Sequence, residues 1–347
     1  MDEQALRRTL EGGGGFPGRL LRAMLWAPGM LYAGVMEARR GFYDAGLIAS
    51  VRSPLPTVSV GNIVMGGTGK TPFVLMLARE FAWRGIRPGI LLRGYRKDGE
   101  GESDEAAMYR RECPEAVVVA DADRVAGAGE AARAGAGVLL LDDGFQHRRL
   151  SRDMDVVLVD AMCPWGSGWT IPAGTLREPK SALRDAGAVI VTRSDQASEK
   201  EAAALRGEVR RLAPCVPVFF ARHRASRLRR LDGEAVPLAA IRGQPVFALS
   251  GIARPEAFWK TLDQVGAKVI GKLGLRDHDE FAPEQIRSAL AAAKHAGGVT
   301  VVTEKDASRR VFRDFRDGET LWVLGIEQEL SGKEDFLSLL RARLGVG

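Results

Sequence analysis

Four groups of residues in this chain have types and spacings suited to chemistry. The first is Gly66-Gly67-Thr68-Gly69-Lys70-Thr71. Glycines let backbone N–H groups turn around a phosphate, and a following helix presents free N–H groups and the positive end of its dipole. Lys70 is then the side chain for the β/γ-phosphates and Thr71 a Mg²⁺ ligand. Pro72 suits a first helical turn, where its missing N–H costs nothing. The usual pattern has a glycine where Val64 stands, which predicts a longer or differently shaped loop.

The second group is Asp142-Asp143-Gly144, at the end of the apolar run Val138–Leu141. A buried strand that delivers a carboxylate at its C-terminal end beside a P-loop is the expected Mg²⁺ holder, and adjacent carboxylates favour a cation. Gln146 and His147 follow directly; by type alone, His147 fits a structural role as well as a catalytic one. The third group is Arg177-Glu178, set between Pro172 and Pro179. It reads as a surface ion pair or, beside a phosphate site, as an arginine that stabilises transferring charge and a glutamate that holds metal. The fourth comprises Ser103-Asp104-Glu105, which by composition reads as a solvated acidic loop, and Asp277-His278-Asp279, where two aspartates flank a histidine. Thr303-Glu304-Lys305-Asp306 resembles a guanine-reading motif but carries an inserted Glu304, so GTP is not read from it.

Elements must hold these groups in place. Apolar runs at Thr57–Val60, Gly89–Leu92, Val117–Val119, Val138–Leu141, Val156–Val159, Val189–Thr192 and Val218–Phe220 alternate with helical patterns. Continuous apolar strands are buried on both faces, so the prediction is an α/β fold, P-loop NTPase-like, with a mostly parallel sheet and helices on both faces. A smaller C-terminal α/β domain follows, with strands at Val246–Leu249, Val299–Thr303 and Leu321–Leu324 and helices over Pro255–Val265, Pro283–His295 and Lys333–Leu344. The predicted boundaries are a membrane-associating helical segment over 1–48, a P-loop domain over 49–222, a two-stranded linker over 223–244 and the C-terminal domain over 245–347. At 347 residues the chain can bury two cores.

Residues 16–48 are unusually apolar for an enzyme surface. Leu20, Leu21, Met24, Leu25, Trp26, Met30, Leu31, Tyr32, Val35 and Met36 are flanked by Arg19, Arg22, Arg39 and Arg40, with Pro28-Gly29 breaking the stretch. Arginines around apolar residues with Trp and Tyr suit a helix lying among lipid headgroups. No apolar run is long enough for a convincing span, and no cleavable signal peptide opens the chain. The net charge of +6 favours an anionic partner. Cys113, Cys163 and Cys215 share no metal-ligand spacing, which points to a reducing compartment without a disulfide framework.

Taken in order, these motifs resemble the tetraacyldisaccharide 4′-kinase (lipid A 4′-kinase) family of Gram-negative bacteria. The resemblance rests on Val60-Gly61-Asn62 with the glycine loop, Arg93-Gly94-Tyr95, Asp142-Asp143-Gly144-Phe145-Gln146-His147, Pro172-Ala173-Gly174 with Leu176-Arg177-Glu178-Pro179, Ser250-Gly251-Ile252, Asp277-His278 and Thr303–Asp306. It implies ATP- and Mg²⁺-dependent phosphorylation of the 4′-hydroxyl of a tetraacyldisaccharide 1-phosphate, giving lipid IVA. It implies an N-terminal helix that holds the enzyme on the cytoplasmic face of the inner membrane. A monomer is expected, and no nucleic acid, since the chain has no recognised nucleic-acid motif and no aromatic-basic interleaving. By the same resemblance Gly66, Gly67, Thr68, Gly69, Lys70, Thr71, Arg124, Gln146 and His147 line the ATP site. Thr71, Asp142, Asp143 and Glu178 attend the metal. Lys70 and Arg177 serve catalysis, and Asp104 with His278 forms the dyad that takes the proton from the sugar hydroxyl. This chain has Ser103, Ala106, Asp279 and Arg96 where the family commonly has other residues. The competing reading is a P-loop GTPase or ATPase acting as a metallochaperone or regulator without a lipid acceptor; the missing Cys/His spacing and the spoiled guanine motif speak against it.

Overall fold

The computed structural model describes residues 15–94, 103–252, 254–275, 279–315 and 320–346. The chain divides into two compact units, residues 1–94 with 115–222 and 330–347, and residues 95–114 with 223–329.

In the first unit seven strands run parallel in the order β7-β6-β5-β1-β4-β2-β3. Their ranges are β1 Thr57–Gly61, β2 Pro88–Leu92, β3 Val117–Ala120, β4 Val138–Asp142, β5 Met154–Asp160, β6 Ala188–Thr192 and the first part of β7 Val218–Arg230. Every residue of β1, β2, β4 and β6 is buried, which is why these strands read as unbroken apolar runs. The helices here are α1 Gly15–Asp44, α2 Lys70–Trp83, α4 Arg124–Arg133, α5 Glu199–Leu212 and α9 Lys333–Leu344. The expected break at Pro28-Gly29 is absent: α1 runs through Pro28. Next to the proline, the Thr170 hydroxyl donates to the Gly29 carbonyl at 2.7 Å and ties this part of the helix to the loop that carries Arg177. No described helix is long and apolar enough to cross a membrane.

The second unit contains β9 Pro245–Ser250, β10 Lys268–Gly274, β11 Val299–Thr303 and β12 Leu321–Ser331, parallel in the order β10-β9-β11-β12. The far part of β7 pairs antiparallel with the short β8, Ala235–Val236, through a turn at Asp232-Gly233. Its helices are α3 Asp104–Glu112, α6 Pro255–Gln264, α7 Pro283–His295 and the single turn α8 Glu304–Ala307. Two differences from the sequence reading stand out. Ser103-Asp104-Glu105, read as an acidic loop, opens α3: the Ser103 hydroxyl accepts from the Ala106 N–H at 3.2 Å as an N-cap, with Asp104 and Glu105 in the favoured first turn. The helix read as the end of the C-terminal domain, α9, belongs to the first unit, where Phe336 meets Phe73 and Phe219 edge to face.

Candidate active site

The glycine loop leaves β1 and enters α2. Gly69 is the N-cap of α2 with φ 84°, and Gly66 has φ 118°; both are conformations that a side chain resists. Val64, in place of the usual glycine, has a structural reason. It forms a β-bridge with Leu176, while the Met65 N–H donates to the Thr175 carbonyl and the Arg177 N–H to the Ile63 carbonyl, each at 2.8 Å. Val64, Leu176 and Trp165 share one buried cluster. The segment before the glycines is thereby a short strand partner of the Arg177 loop.

Asp142 ends β4 beside Val60 of β1, so the carboxyl ends of the two strands are adjacent. Asp143 follows with φ 54°, an uncommon conformation for a non-glycine residue. Lys70 Nζ lies 3.2 Å from Asp143 Oδ1, and Arg177 Nη1 donates to both Asp143 oxygens at 3.0 and 2.8 Å. Burial pushes the Asp143 carboxyl up, but Lys70 and Arg177 outweigh it and hold the group below its ordinary value.

A second layer fixes the loop. Asn62, fully buried, donates to the Thr68 hydroxyl at 3.0 Å and the Gly66 carbonyl at 3.3 Å. The Gln146 amide donates to the Asn62 carbonyl at 2.8 Å and also hydrogen-bonds Glu178. Burial raises the Glu178 carboxyl above its usual range, against Gln146 and nearby arginines. Arg124 is buried and donates to the Asp142 carbonyl at 3.0 Å. Desolvation brings its pKa down to about 10 against the pull of Asp142 and Asp143. His147 is half-buried, and its pKa is lowered first by that burial and then by Arg124 and Arg152.

Three contributors escaped the sequence reading. The Thr192 hydroxyl donates to the Thr68 carbonyl at 2.8 Å, and Arg193 donates to the Gly67 carbonyl at 2.7 Å while paired with buried Asp160. The third is the inner face of α1. Tyr32 donates to the Arg177 carbonyl at 2.9 Å, Arg39 to the Gln146 carbonyl at 3.1 Å, and Glu37 accepts from Ser181 at 2.7 Å. The apolar runs Val156–Val159 and Val189–Thr192 end next to Asp160 and at Thr192; the contacts of α1 left no sequence signal.

Thr71 at the head of α2 and Asp142 at the end of β4 are hard oxygen donors of the kind Mg²⁺ takes, with phosphate oxygens and water completing its shell. Among the described residues no three His, Cys, Asp or Glu side chains group as a metal cage. Asp143 pairs with Lys70 and Arg177, and Glu178 hydrogen-bonds Gln146. In the second unit Asp104 is exposed at the start of α3. His278 lies outside the described residues.

Residues 21–345 match the model of a family described as tetraacyldisaccharide-1-P 4′-kinase. A tetraacyldisaccharide 4′-kinase of Anaeromyxobacter sp. (strain Fw109-5) is 40% identical over 339 residues, covering 92% of this chain and 90% of that protein. One from Syntrophus aciditrophicus is 39% identical over 294 residues, covering 77% and 79%. The crystal structure of LpxK from Aquifex aeolicus in complex with ATP superposes with a TM-score of 0.71 at 28% identity, covering 93% of this chain and 99% of that one. With a family match across nearly its whole length and relatives at this identity, the chain belongs to the tetraacyldisaccharide 4′-kinase family.

Proposed function

We propose that this chain transfers the γ-phosphate of ATP to the 4′-hydroxyl of a tetraacyldisaccharide 1-phosphate, giving lipid IVA. The observation that carries the reading is the convergence of Lys70 and Arg177 on Asp143 at the start of α2. Two cations placed together beside helix N–H groups suit a triphosphate whose terminal group gains charge separation in transfer. Lys70 and Arg177 neutralise that charge, and Asp143 keeps them in register. Arg124 holds the Asp142 carbonyl and Gln146 the Asn62 carbonyl. Thr71 and Asp142 would hold Mg²⁺, which would neutralise phosphate charge during transfer.

Asp104, with His278, accepts the proton of the attacking hydroxyl. An exposed carboxylate in a helix's first turn is accessible to a sugar head group. The outer face of α1 supports the lipid side of the reading. Leu20, Met24, Trp26, Met30, Leu31 and Val35 are exposed along it, and Leu31 keeps 72% of its surface. Such a face fits the headgroup–acyl boundary of a bilayer and supports a peripheral seat on the cytoplasmic face of the inner membrane, next to a substrate held by its acyl chains.

The test is incubation with ATP, Mg²⁺ and a tetraacylated glucosamine disaccharide 1-phosphate, with the product read by mass spectrometry. Gain of one phosphate at the 4′-position supports the reading. ATP turnover that ignores the glycolipid refutes it.

A further inference from the structure

The Thr303-Glu304-Lys305-Asp306 motif lies in the second unit, in a dense network of its own. Asp306 is wholly buried. Its carboxylate accepts from the Thr303 hydroxyl at 2.6 Å and from the Gly251 N–H at 3.0 Å, and it faces Arg309 Nε at 3.1 Å. Arg309 is buried too, and its remaining N–H groups donate to the carbonyls of Gly251 and Asp279. A Cβ on Gly251 would stand 2.7 Å from Arg309 Nη2 and 3.0 Å from Asp306 Oδ1, so this close packing requires the glycine. A planar guanidinium spreads its donors over three nitrogens and so reaches a carboxylate and two separate carbonyls; an ammonium has one nitrogen from which to reach all three.

The other side of the same turn grips α3 at both ends. Lys305 Nζ lies 3.4 Å from Glu105 Oε1 in the first turn of α3. Arg111, in its last turn, donates to the Glu304 carbonyl at 3.2 Å and the Ser308 hydroxyl at 2.9 Å. Arg227 bridges Glu304 and Glu112. A helix fastened at two points a turn or more apart neither slides nor rotates. The residue it presents at its start is Asp104, and the carbonyl that Arg309 holds belongs to Asp279, the next residue in the chain after His278.

We propose that the Thr303–Arg309 turn is a positioning device for phosphoryl transfer. Arg111 and Lys305 fix the Asp104 carboxylate through α3, and Arg309 fixes the backbone at Asp279. A buried ion pair is a weak source of stability, because desolvation offsets its attraction; orientation is the better reason for one here. The inference rests on Asp104 acting as the base.

The experiment uses the full chain and the paired substitution Arg111→Met with Lys305→Met. Both side chains are partly exposed, so the melting temperature should stay near that of the parent. We expect kcat to fall roughly 10- to 100-fold, as for a displaced reacting group, with KM for ATP unchanged. In an Asp104→Ala background the paired substitution should cause no further loss. Arg309→Lys, which keeps the charge and loses the fork, should behave the same way in both backgrounds. Unchanged kcat in the paired variant, or an equal loss when Asp104 is already alanine, overturns the inference. Asp104→Ala at full rate removes the base and this inference together. A slow Asp104→Ala beside a fast paired variant removes the inference alone.

Discussion

Arg177 Nη1 reaches both carboxylate oxygens of Asp143, at 3.0 and 2.8 Å, and Lys70 shares one of those oxygens at 3.2 Å. One carboxylate thus preorganises two cations that come from distant parts of the chain. Lys70→Ala should lower kcat by about 10²–10³-fold, the range for a lost charge-stabilising group, with the melting temperature little changed. Steady-state kinetics on the purified variant check this; turnover at the parent rate would remove Lys70 from the reaction.

Asp143 also has a pH signature. Its folded-state pKa is depressed, so the stability it contributes is fully present above the unfolded carboxylate value, near 3.8. That stability is lost as pH falls through the lower, folded value. Asp143→Asn should flatten the melting temperature against pH in this acid window, measured between about pH 5 and 2. An unchanged acid slope in the variant would contradict the ion-pair assignment.

Arg193 ties buried Asp160 to the Gly67 carbonyl. Arg193→Met should cost roughly 3 kcal/mol, because it strips a buried carboxylate of its cation, and should weaken ATP binding by loosening the loop. Chemical denaturation and nucleotide titration read the two effects separately. A variant as stable as the parent would show the pair to be dispensable.

The exposed face of α1 should bind anionic vesicles. Replacing Met24, Leu31 and Val35 with serine should reduce co-sedimentation by about tenfold or more, given roughly 1.5–3 kcal/mol for each large apolar side chain buried. Catalysis on detergent-dispersed substrate should survive, since the inner face of α1 is untouched. Equal vesicle binding by the parent and the variant would show that the helix meets something other than lipid.

Much of the first unit is legible in the sequence because each buried parallel strand is a continuous apolar run and ends at a residue of the site: Gly61, Asp142, Asp160 and Thr192. The glycine loop announces itself by residue type. Strand β10 does not, since its residues alternate between half-buried and exposed and Gly271 interrupts them. The composition of the second unit was equally opaque. It takes α3 from between β2 and β3 and gives up α9, so neighbours in sequence are not neighbours in space. Composition also misjudged Ser103–Glu105, where an acidic run is a capped first helical turn and not a loop. The role of Val64 emerged only with its bridge to Leu176, a pairing between segments more than a hundred residues apart.

The inner face of α1 has a consequence for how such proteins diverge. Tyr32 and Arg39 grip the main-chain oxygens of Arg177 and Gln146, so these two bonds make no demand on the side chains at 177 and 146. Replacing either loop side chain leaves these two bonds in place, whereas Glu37 with Ser181 and Asp44 with Arg148 join side chain to side chain; correlated substitutions would mark the second kind of contact and pass over the first.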